Sequence, residues 1–182
     1  MEFALLGWPP DGPTLRLDYE VFAYAGKFVM SSTGKAVARD GDVVGAVAFN
    51  EDRTDPDCLQ LRYVTVRSDR RGERIGPRLL RFTAERARNR GYSSVQIAAN
   101  NPFAYEACYR AGFVFTGEET GLAELVLGYR PDANRDPKRY QDGLDRYRER
   151  DLSSEEEAFL AECRGTDPPA VGSDPARSEM GE

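Results

Sequence analysis

Apolar and polar positions change period several times along the chain, and each change marks an element. Thr14-Leu15-Arg16-Leu17-Asp18 alternates like a short strand, and Tyr19 to Phe28, aromatic-rich but broken by Gly26, reads as one short helix or turn. Lys35–Arg39 and Val43–Phe49 flank Asp40-Gly41-Asp42, the spacing of a β-hairpin whose glycine takes a positive φ. A polar loop from Asn50 to Asp57 leads into Leu59–Val66, a strand rich in β-branched and aromatic residues. From Ile75 to Arg90 the period becomes helical. Ile75, Leu79, Leu80, Phe82, Thr83, Ala84 and Ala87 share one face opposite Arg78, Arg81, Glu85 and Arg88, with Gly91 as stop signal. Ser94–Ala99 reads as a strand, Pro102–Ala111 as a helix opened by proline and closed by Gly112, and Phe113–Thr116 with Leu122–Leu127 as a closing strand pair. Beyond Arg130 follow a Pro/Asp-rich linker, a charged helix over about Pro137–Arg150, and a helix in which Ser153 and Glu156 have capping-box spacing. The pattern divides the chain into a body (1–130), a charged helical extension (131–164) and an acidic tail (165–182) too poor in bulky apolar residues to fold.

Composition narrows the chemistry. At 182 residues, 40% hydrophobic and 31% charged, the chain is expected to form one domain of ordinary size. No stretch approaches the ~20 apolar residues of a membrane span, and Met1–Leu6 lacks the features of a signal peptide, so a soluble cytoplasmic protein is expected. The chain has no histidine, which excludes Ser-His-Asp and Cys-His nucleophiles and HExxH zinc sites. Cys58, Cys108 and Cys163 stand far apart, so neither a disulfide framework nor a metal site is expected. The net charge of −6 belongs to the end of the chain, where residues 151–182 hold nine acids and two arginines. Arg67 to Arg90, by contrast, carries nine arginines against Asp69, Glu73 and Glu85, a local field that invites an anion. Nucleic acid is a poor partner for it, because aromatics are not interleaved and the acidic tail repels phosphate.

The informative junction is Val64-Thr65-Val66, then Arg67 to Arg74, then a helix from Ile75. Backbone N–H groups of a first helical turn lack intrahelical acceptors, so a diphosphate can sit there. Gly72 and Gly76 let the backbone approach closely, and Arg70, Arg71, Arg74 and Arg78 supply charge. Neither GxxxxGK[ST] nor GxGxxG is present.

On these residues the chain resembles the GCN5-related N-acetyltransferase (GNAT) family. That family's acyl-CoA loop follows Val-x-x-x-x-Arg/Gln-x-x-Gly-x-Gly/Ala, here Val66-Arg67-Ser68-Asp69-Arg70-Arg71-Gly72-Glu73-Arg74-Ile75-Gly76. A second block, an Asn after the next strand and a helix ending Tyr-x-x-Gly-Phe, is matched by Asn100 to Phe113. The resemblance covers about residues 14 to 128. It implies an α/β fold whose mixed, mostly antiparallel central sheet splays between strands four and five, flanked by helices, with a C-terminal helical extension added here. It further implies transfer of an acetyl group from acetyl-CoA to an amine, small molecule or peptide, by direct attack in a ternary complex without metal. Homodimerisation stays open, and partners from nucleic acid or membrane are not implied. The alternative is a catalytically silent acyl-CoA-binding sensor or scaffold of the same fold.

The residues that the resemblance assigns to CoA are Val64, Val66, Arg71, Gly72, Glu73, Arg74, Ile75, Gly76, Asn100 and Asn101. Arg74 departs from the pattern, standing where the family has glycine. It either blocks the diphosphate or turns to solvent while its N–H donates, and the second is expected because the rest of both motifs is intact. Tyr109 matches the residue that protonates the departing thiolate, a role for a phenol of pKa ~10, its other reading being a core aromatic. Tyr105, one turn earlier, is expected to pack. An Asn before Pro102 either bonds CoA or caps the helix, and Cys108 reads as a small buried residue. No carboxylate lies in Leu59–Val66 to serve as the family's general base. Glu51, Asp52, Glu118, Glu119 and Glu124 are the alternatives, each first a solvated charge, and backbone carbonyls with ordered water are the remaining route. Trp8, Phe22, Tyr24 and Phe28 line a pocket or pack the core.

Overall fold

The computed structural model describes residues 1–172. Strands β1 (Glu2–Gly7), β2 (Gly34–Asp40), β3 (Asp42–Glu51), β4 (Cys58–Val66), β5 (Ser94–Ala99), β6 (Phe113–Glu119) and β7 (Leu125–Tyr129) alternate with helices α1 (Ile75–Arg90) and α2 (Pro102–Ala111), and α3 (Pro137–Arg148) and α4 (Ser154–Glu162) follow. The strands form one open sheet in the order β1-β2-β3-β4-β5-β7-β6. β1 to β4 pair antiparallel, as do β6 and β7, whereas β4 and β5 run parallel, joined by the crossover through α1. This is the α/β, GNAT-like mixed sheet that the motifs imply. By compactness the chain divides inside β5 into units of residues 1–96 and 97–172.

In the first unit α1 covers one face of β1–β4. Ala38, Val44 and Ile75 form a buried cluster there with Phe3 and Val66 against it, and the rings of Phe3 and Phe82 lie 5.8 Å apart. The seven residues of the predicted apolar helix face are the buried residues of α1, and Gly91 closes the helix at φ 110°. The opposite face is covered by the loop after β1. Phe28 is fully buried with Val37, Ala46 and Ala48, and Leu15, Leu17 and Tyr63 pack around them. The predicted hairpin is present, with Asp40 paired to Asp42 across Gly41 at φ 74°.

One expectation for this unit changes. The edge strand beside β2 is Glu2–Gly7, not Thr14–Asp18. The alternation of Leu15 and Leu17 is real, but it serves packing against Phe28, and Leu15 N–H donates to the Phe28 carbonyl at 2.9 Å rather than to a ladder. The short helix or turn expected over Tyr19–Phe28 is a run of turns that ends in a 3₁₀ helix at Ala25–Val29.

The second unit is held by tyrosines. Tyr105 and Tyr109 of α2 and Tyr140 and Tyr147 of α3 are each no more than 1% exposed, with ring centroids 4.8 to 5.9 Å apart. Burying a phenol requires a partner for its hydroxyl. Tyr105 donates to the Tyr140 carbonyl (3.0 Å), Tyr147 to the Ala99 carbonyl (2.7 Å) and Tyr140 to Glu106 Oε2 (2.5 Å). Gly143 of α3 makes room: a Cβ there would stand 2.1 Å from Tyr105 Oη. The helical extension is thus packed on α2. The α4 capping box forms as its spacing predicts, with both Ser153 and Glu156 bonds made.

Residues 165–172 depart from the disorder expected of them. Gln141 Nε2 donates to the Thr166 carbonyl (2.9 Å), Arg135 Nη1 to the Pro169 carbonyl (2.6 Å), and Gly172 N–H to the Arg110 carbonyl (2.9 Å). The segment is held through its main chain, which side-chain composition does not reveal. Residues 173–182, the rest of the expected tail, lie outside the described residues.

Candidate active site

β4 delivers the chain to the candidate anion cradle. Its register against β3 pairs Val47 with Val64 and Gly45 with Val66, and shifts between Ala48–Tyr63 and Phe49–Leu61, so that Arg62 is the extra residue of a bulge. Val64 and Val66 are half-buried. After a 3₁₀ turn at Ser68–Arg70 the backbone reverses through two left-handed residues, Gly72 at φ 85° and Arg74 at φ 60°, ψ 26°. Arg74 is the N-cap of α1 and contributes no side-chain cap bond. Its conformation gives a physical reason for the glycine in the family pattern at this position: the turn needs a positive φ, which glycine adopts without steric cost. Arg74 meets the same requirement with strain.

The backbone N–H groups from Gly72 to Gly76 donate to no acceptor among the described residues, while the Arg74 carbonyl accepts from Arg78 N–H at 3.3 Å. Pro77 has no N–H, which confines the free donors to this turn. A Cβ at Gly76 would make only an ordinary 3.7 Å contact with Val66 Cγ2, so the fold itself does not demand glycine there. What glycine provides is an uncovered N–H.

The charge at the turn is partly spent internally. Arg70 pairs with Asp40 (3.0 Å) and Glu73 (2.7 Å), and Arg67 pairs with Asp69 (2.6 Å). Glu73 therefore braces the loop through Arg70. The Arg78 guanidinium lies 5.0 Å from the Phe3 ring centroid. Arg71 and Arg74 are exposed and make no ion pair among the described residues, so they are the cations available to an incoming anion. The arrangement fits a diphosphate: free N–H donors, a helix N-terminus and two unengaged guanidinium groups in one turn.

The remaining sequence-derived residues lie in the second unit. Asn101 caps α2, its Oδ1 accepting from Ala104 N–H at 2.8 Å, and its Nδ2 donates to Asn100 Oδ1 at 2.9 Å. Asn100 is exposed. The Tyr109 oxygen accepts from Phe115 N–H at 3.0 Å, and the Arg135 guanidinium carbon lies 4.9 Å from its ring centroid. Burial raises the Tyr109 pKa, opposed by the Phe115 N–H and by Arg135, so the phenol is protonated at neutral pH. Cys108 is buried, and desolvation pushes its thiol up to about 12, as suits a packing residue and not a nucleophile. Arg135 is a residue that sequence reasoning missed. It lies in the Pro/Asp-rich linker, yet it also donates to the Tyr109 carbonyl at 2.5 Å. Tyr140 and Tyr147 were legible in principle, since with Gly143 and Leu144 they form an i, i+3, i+4, i+7 face.

The carboxylates considered as bases are mostly engaged. Asp52 accepts from Thr54 N–H, Thr54 Oγ1 and Gln60, which hold its pKa below the usual range. Glu51 accepts from Tyr92 Oη at 2.9 Å, Glu119 pairs with Arg146 at 2.7 Å, and Glu124 accepts from Thr120 Oγ1 at 3.4 Å. Of the four aromatics read as pocket or core, Phe22 and Phe28 are buried, and Trp8 packs on Phe49 (5.5 Å), Tyr92 (6.0 Å) and the Arg90 guanidinium (4.6 Å). Tyr24 alone of these is exposed, at 54%. Among the described residues no His, Cys, Asp and Glu group of three or more could hold a metal ion, and no helix is long and apolar enough to cross a membrane.

The model of the acetyltransferase (GNAT) family matches residues 2–113, more than half of the chain. Solved structures similar to it include the IAA acetyltransferase from Bacillus cereus ATCC 14579, 23% identical over 53% of this chain and 77% of that one, with a TM-score of 0.44. Another is nourseothricin acetyltransferase, 26% identical over 53% of this chain and 63% of that one, with a TM-score of 0.44. A third is an acetyltransferase of Bacillus subtilis in complex with CoA, 16% identical over 54% of this chain and 76% of that one, with a TM-score of 0.46. No curated protein matches the chain.

Proposed function

Because the chain belongs to the GNAT acetyltransferase family, we propose that it transfers an acetyl group from acetyl-CoA to an amine by direct attack in a ternary complex. The observation that carries this reading is the turn before α1, where Gly72 and Arg74 are left-handed and five consecutive residues leave their N–H groups without an acceptor among the described residues. Acetyl-CoA supplies the activated thioester. The N–H groups of Gly72, Glu73, Arg74, Ile75 and Gly76 receive the diphosphate and Arg71 and Arg74 neutralise it. The resemblance assigns Val64 and Val66 to the pantetheine arm. The resemblance adds Asn100 and Asn101 on CoA and Tyr109 as the acid that protonates the leaving sulfur. Direct attack is favoured over an acyl-enzyme because the chain has no histidine and Cys108 is a buried, unactivated thiol.

The second reading, an acyl-CoA-binding protein without turnover, draws on Arg74 in place of glycine and on the engaged carboxylates. Calorimetry of acetyl-CoA binding, with Gly76→Val as control, and thioester consumption against amino acids, aminoglycosides and peptide N-termini separate the two. We expect binding that Gly76→Val weakens and acetyl transfer to at least one amine. Binding without transfer to any amine selects the silent protein, and unaltered affinity of Gly76→Val removes the diphosphate from this turn.

A further inference from the structure

Tyr24 is the second bulky residue, after Arg74, with a left-handed backbone, at φ 60° and ψ 19°. A tyrosine held there is strained, and strain of this kind is retained where the surroundings fix it and function uses it. Its surroundings do fix it. Phe22 and Phe28 on either side are buried, at 6% and 0% exposure, Leu15 N–H donates to the Phe28 carbonyl, and Ser68 N–H, two residues beyond β4, donates to the Val21 carbonyl at 2.9 Å. The segment is thereby anchored to the sheet and to the approach of the cradle, with Tyr24 raised from it.

The Tyr24 ring does not pack into the core. It meets the ring of Tyr63 on β4, with centroids 5.9 Å apart and planes at 41°, while more than half of it stays exposed. Tyr63 rests on the Phe28 cluster from below, and the Lys27 ammonium lies 5.6 Å from its ring centroid. The Tyr63 ring of the pair therefore already receives one alkylammonium, tethered within the chain on an exposed side chain. A partly solvated ring pair offsets little of the strain, so stability is a weak reason for Tyr24.

From this geometry we infer that Tyr24 and Tyr63 form a recognition site for a cationic alkylammonium group on the acceptor, which displaces Lys27. The inference rests on the acetyl-transfer reading only for the word acceptor. The held cation is not the nitrogen that reacts: ring faces stabilise the charged form, whereas an amine must be neutral to attack a thioester. The preferred acceptor thus carries two groups, a reacting amine and a second cation.

A probe pair that differs only in charge tests this: (4-acetamidobutyl)trimethylammonium against N-(5,5-dimethylhexyl)acetamide, in which a tert-butyl group replaces the quaternary ammonium and the acetylated nitrogen of both is neutral, so that the control carries no ammonium of its own. Dissociation constants are measured by calorimetry on the full chain, with and without CoA, which blocks turnover. The charged probe is expected to bind about 2- to 30-fold more tightly. Tyr24→Phe should keep that preference, Tyr24→Gly should erase it without lowering thermal stability, and Lys27→Gln should enlarge it by removing the tethered competitor. Equal affinity for the two probes, or a preference that survives Tyr24→Gly, overturns the inference. The two readings fail separately. Charge preference in binding with no acetyl transfer to the parent amine of either probe or to any amine of the panel above keeps the site and removes the enzyme, whereas equal binding of the probes and equal transfer to both parent amines keeps the enzyme and removes the site.

Discussion

Arg74 makes a prediction that few cradle residues allow, because its backbone and its side chain have opposite consequences. A non-glycine residue in the left-handed region costs about 1–2 kcal/mol, and Arg74 has no cap bond to offset it. Arg74→Gly removes that cost and gives back about 0.4–1 kcal/mol through the greater freedom of glycine in the unfolded chain. The net is about 1 kcal/mol of stabilisation, or a Tm rise of roughly 2–4 °C for a chain of this size. Arg74→Ala keeps the strain, since alanine has the same Cβ, and should leave Tm near the parent value. Both variants delete the guanidinium, an exposed cation whose contact with a phosphate is worth up to about 1 kcal/mol, so acetyl-CoA affinity should fall by about 2- to 5-fold in each, less at high salt. Calorimetric melting and acetyl-CoA titration of parent, Gly and Ala chains provide the test. Gly and Ala variants with the same Tm would refute the assignment of strain to position 74, and a Gly variant that binds acetyl-CoA more tightly would mean that the arginine obstructs the diphosphate.

What the sequence makes legible and what it hides divide along physical lines. The α1 face, the hairpin at Gly41 and the Ser153–Glu156 capping box come from local rules of period, turn and cap, and each stands where the pattern places it. β1 was missed because Phe3, Ala4, Leu5 and Leu6 run without alternation, while Leu15 and Leu17 alternate for a tertiary reason, the ring of Phe28. The cradle motif is visible as residue types. That Arg74 must adopt φ 60°, and that Arg70 is already engaged by Asp40 from the β2–β3 turn, are not, because one depends on backbone geometry and the other on a partner 30 residues away. Arg135 is hidden most completely. It satisfies main-chain carbonyls of Tyr109 and Pro169, and carbonyls are the same whatever residue bears them.

The remaining predictions concern the second unit. Gly143→Ala should cost about 3 kcal/mol and lower Tm by roughly 6–12 °C, since its Cβ would stand 2.1 Å from Tyr105 Oη and 2.5 Å from Cζ; a shift under 2 °C would show that α3 is not closely docked. Stability should also fall in alkali. Burial raises the folded pKa of Cys108 to about 12 and raises those of Tyr105, Tyr140 and Tyr147, so above the unfolded values the unfolded chain holds fewer protons than the native one. This contribution is complete well below the unfolded values, ~8.5 for the thiol and ~10 for the phenols, and is lost progressively as pH rises from there toward the raised folded values, about 12 for the thiol. Urea midpoints at pH 7, 9 and 10.5 should decline, and an unchanged midpoint at pH 10.5 refutes the burial argument. Tyr109→Phe carries two effects that separate cleanly. Its oxygen is the acceptor for the Phe115 N–H, and phenylalanine leaves that buried donor unpaired at about 1–3 kcal/mol, so the ring alone does not preserve stability. If the phenol also protonates the leaving sulfur, kcat falls a further ~10²–10⁴-fold while acetyl-CoA affinity moves little, because that help arises only as charge develops on sulfur. Tyr105→Phe is the matched control: it too loses one buried hydrogen bond, to the Tyr140 carbonyl, and should lower Tm without a comparable loss of kcat. Equal kcat values for the two variants, at a temperature where both are folded and chemistry limits the rate, would make Tyr109 a packing residue and leave water or the acceptor itself as the proton source.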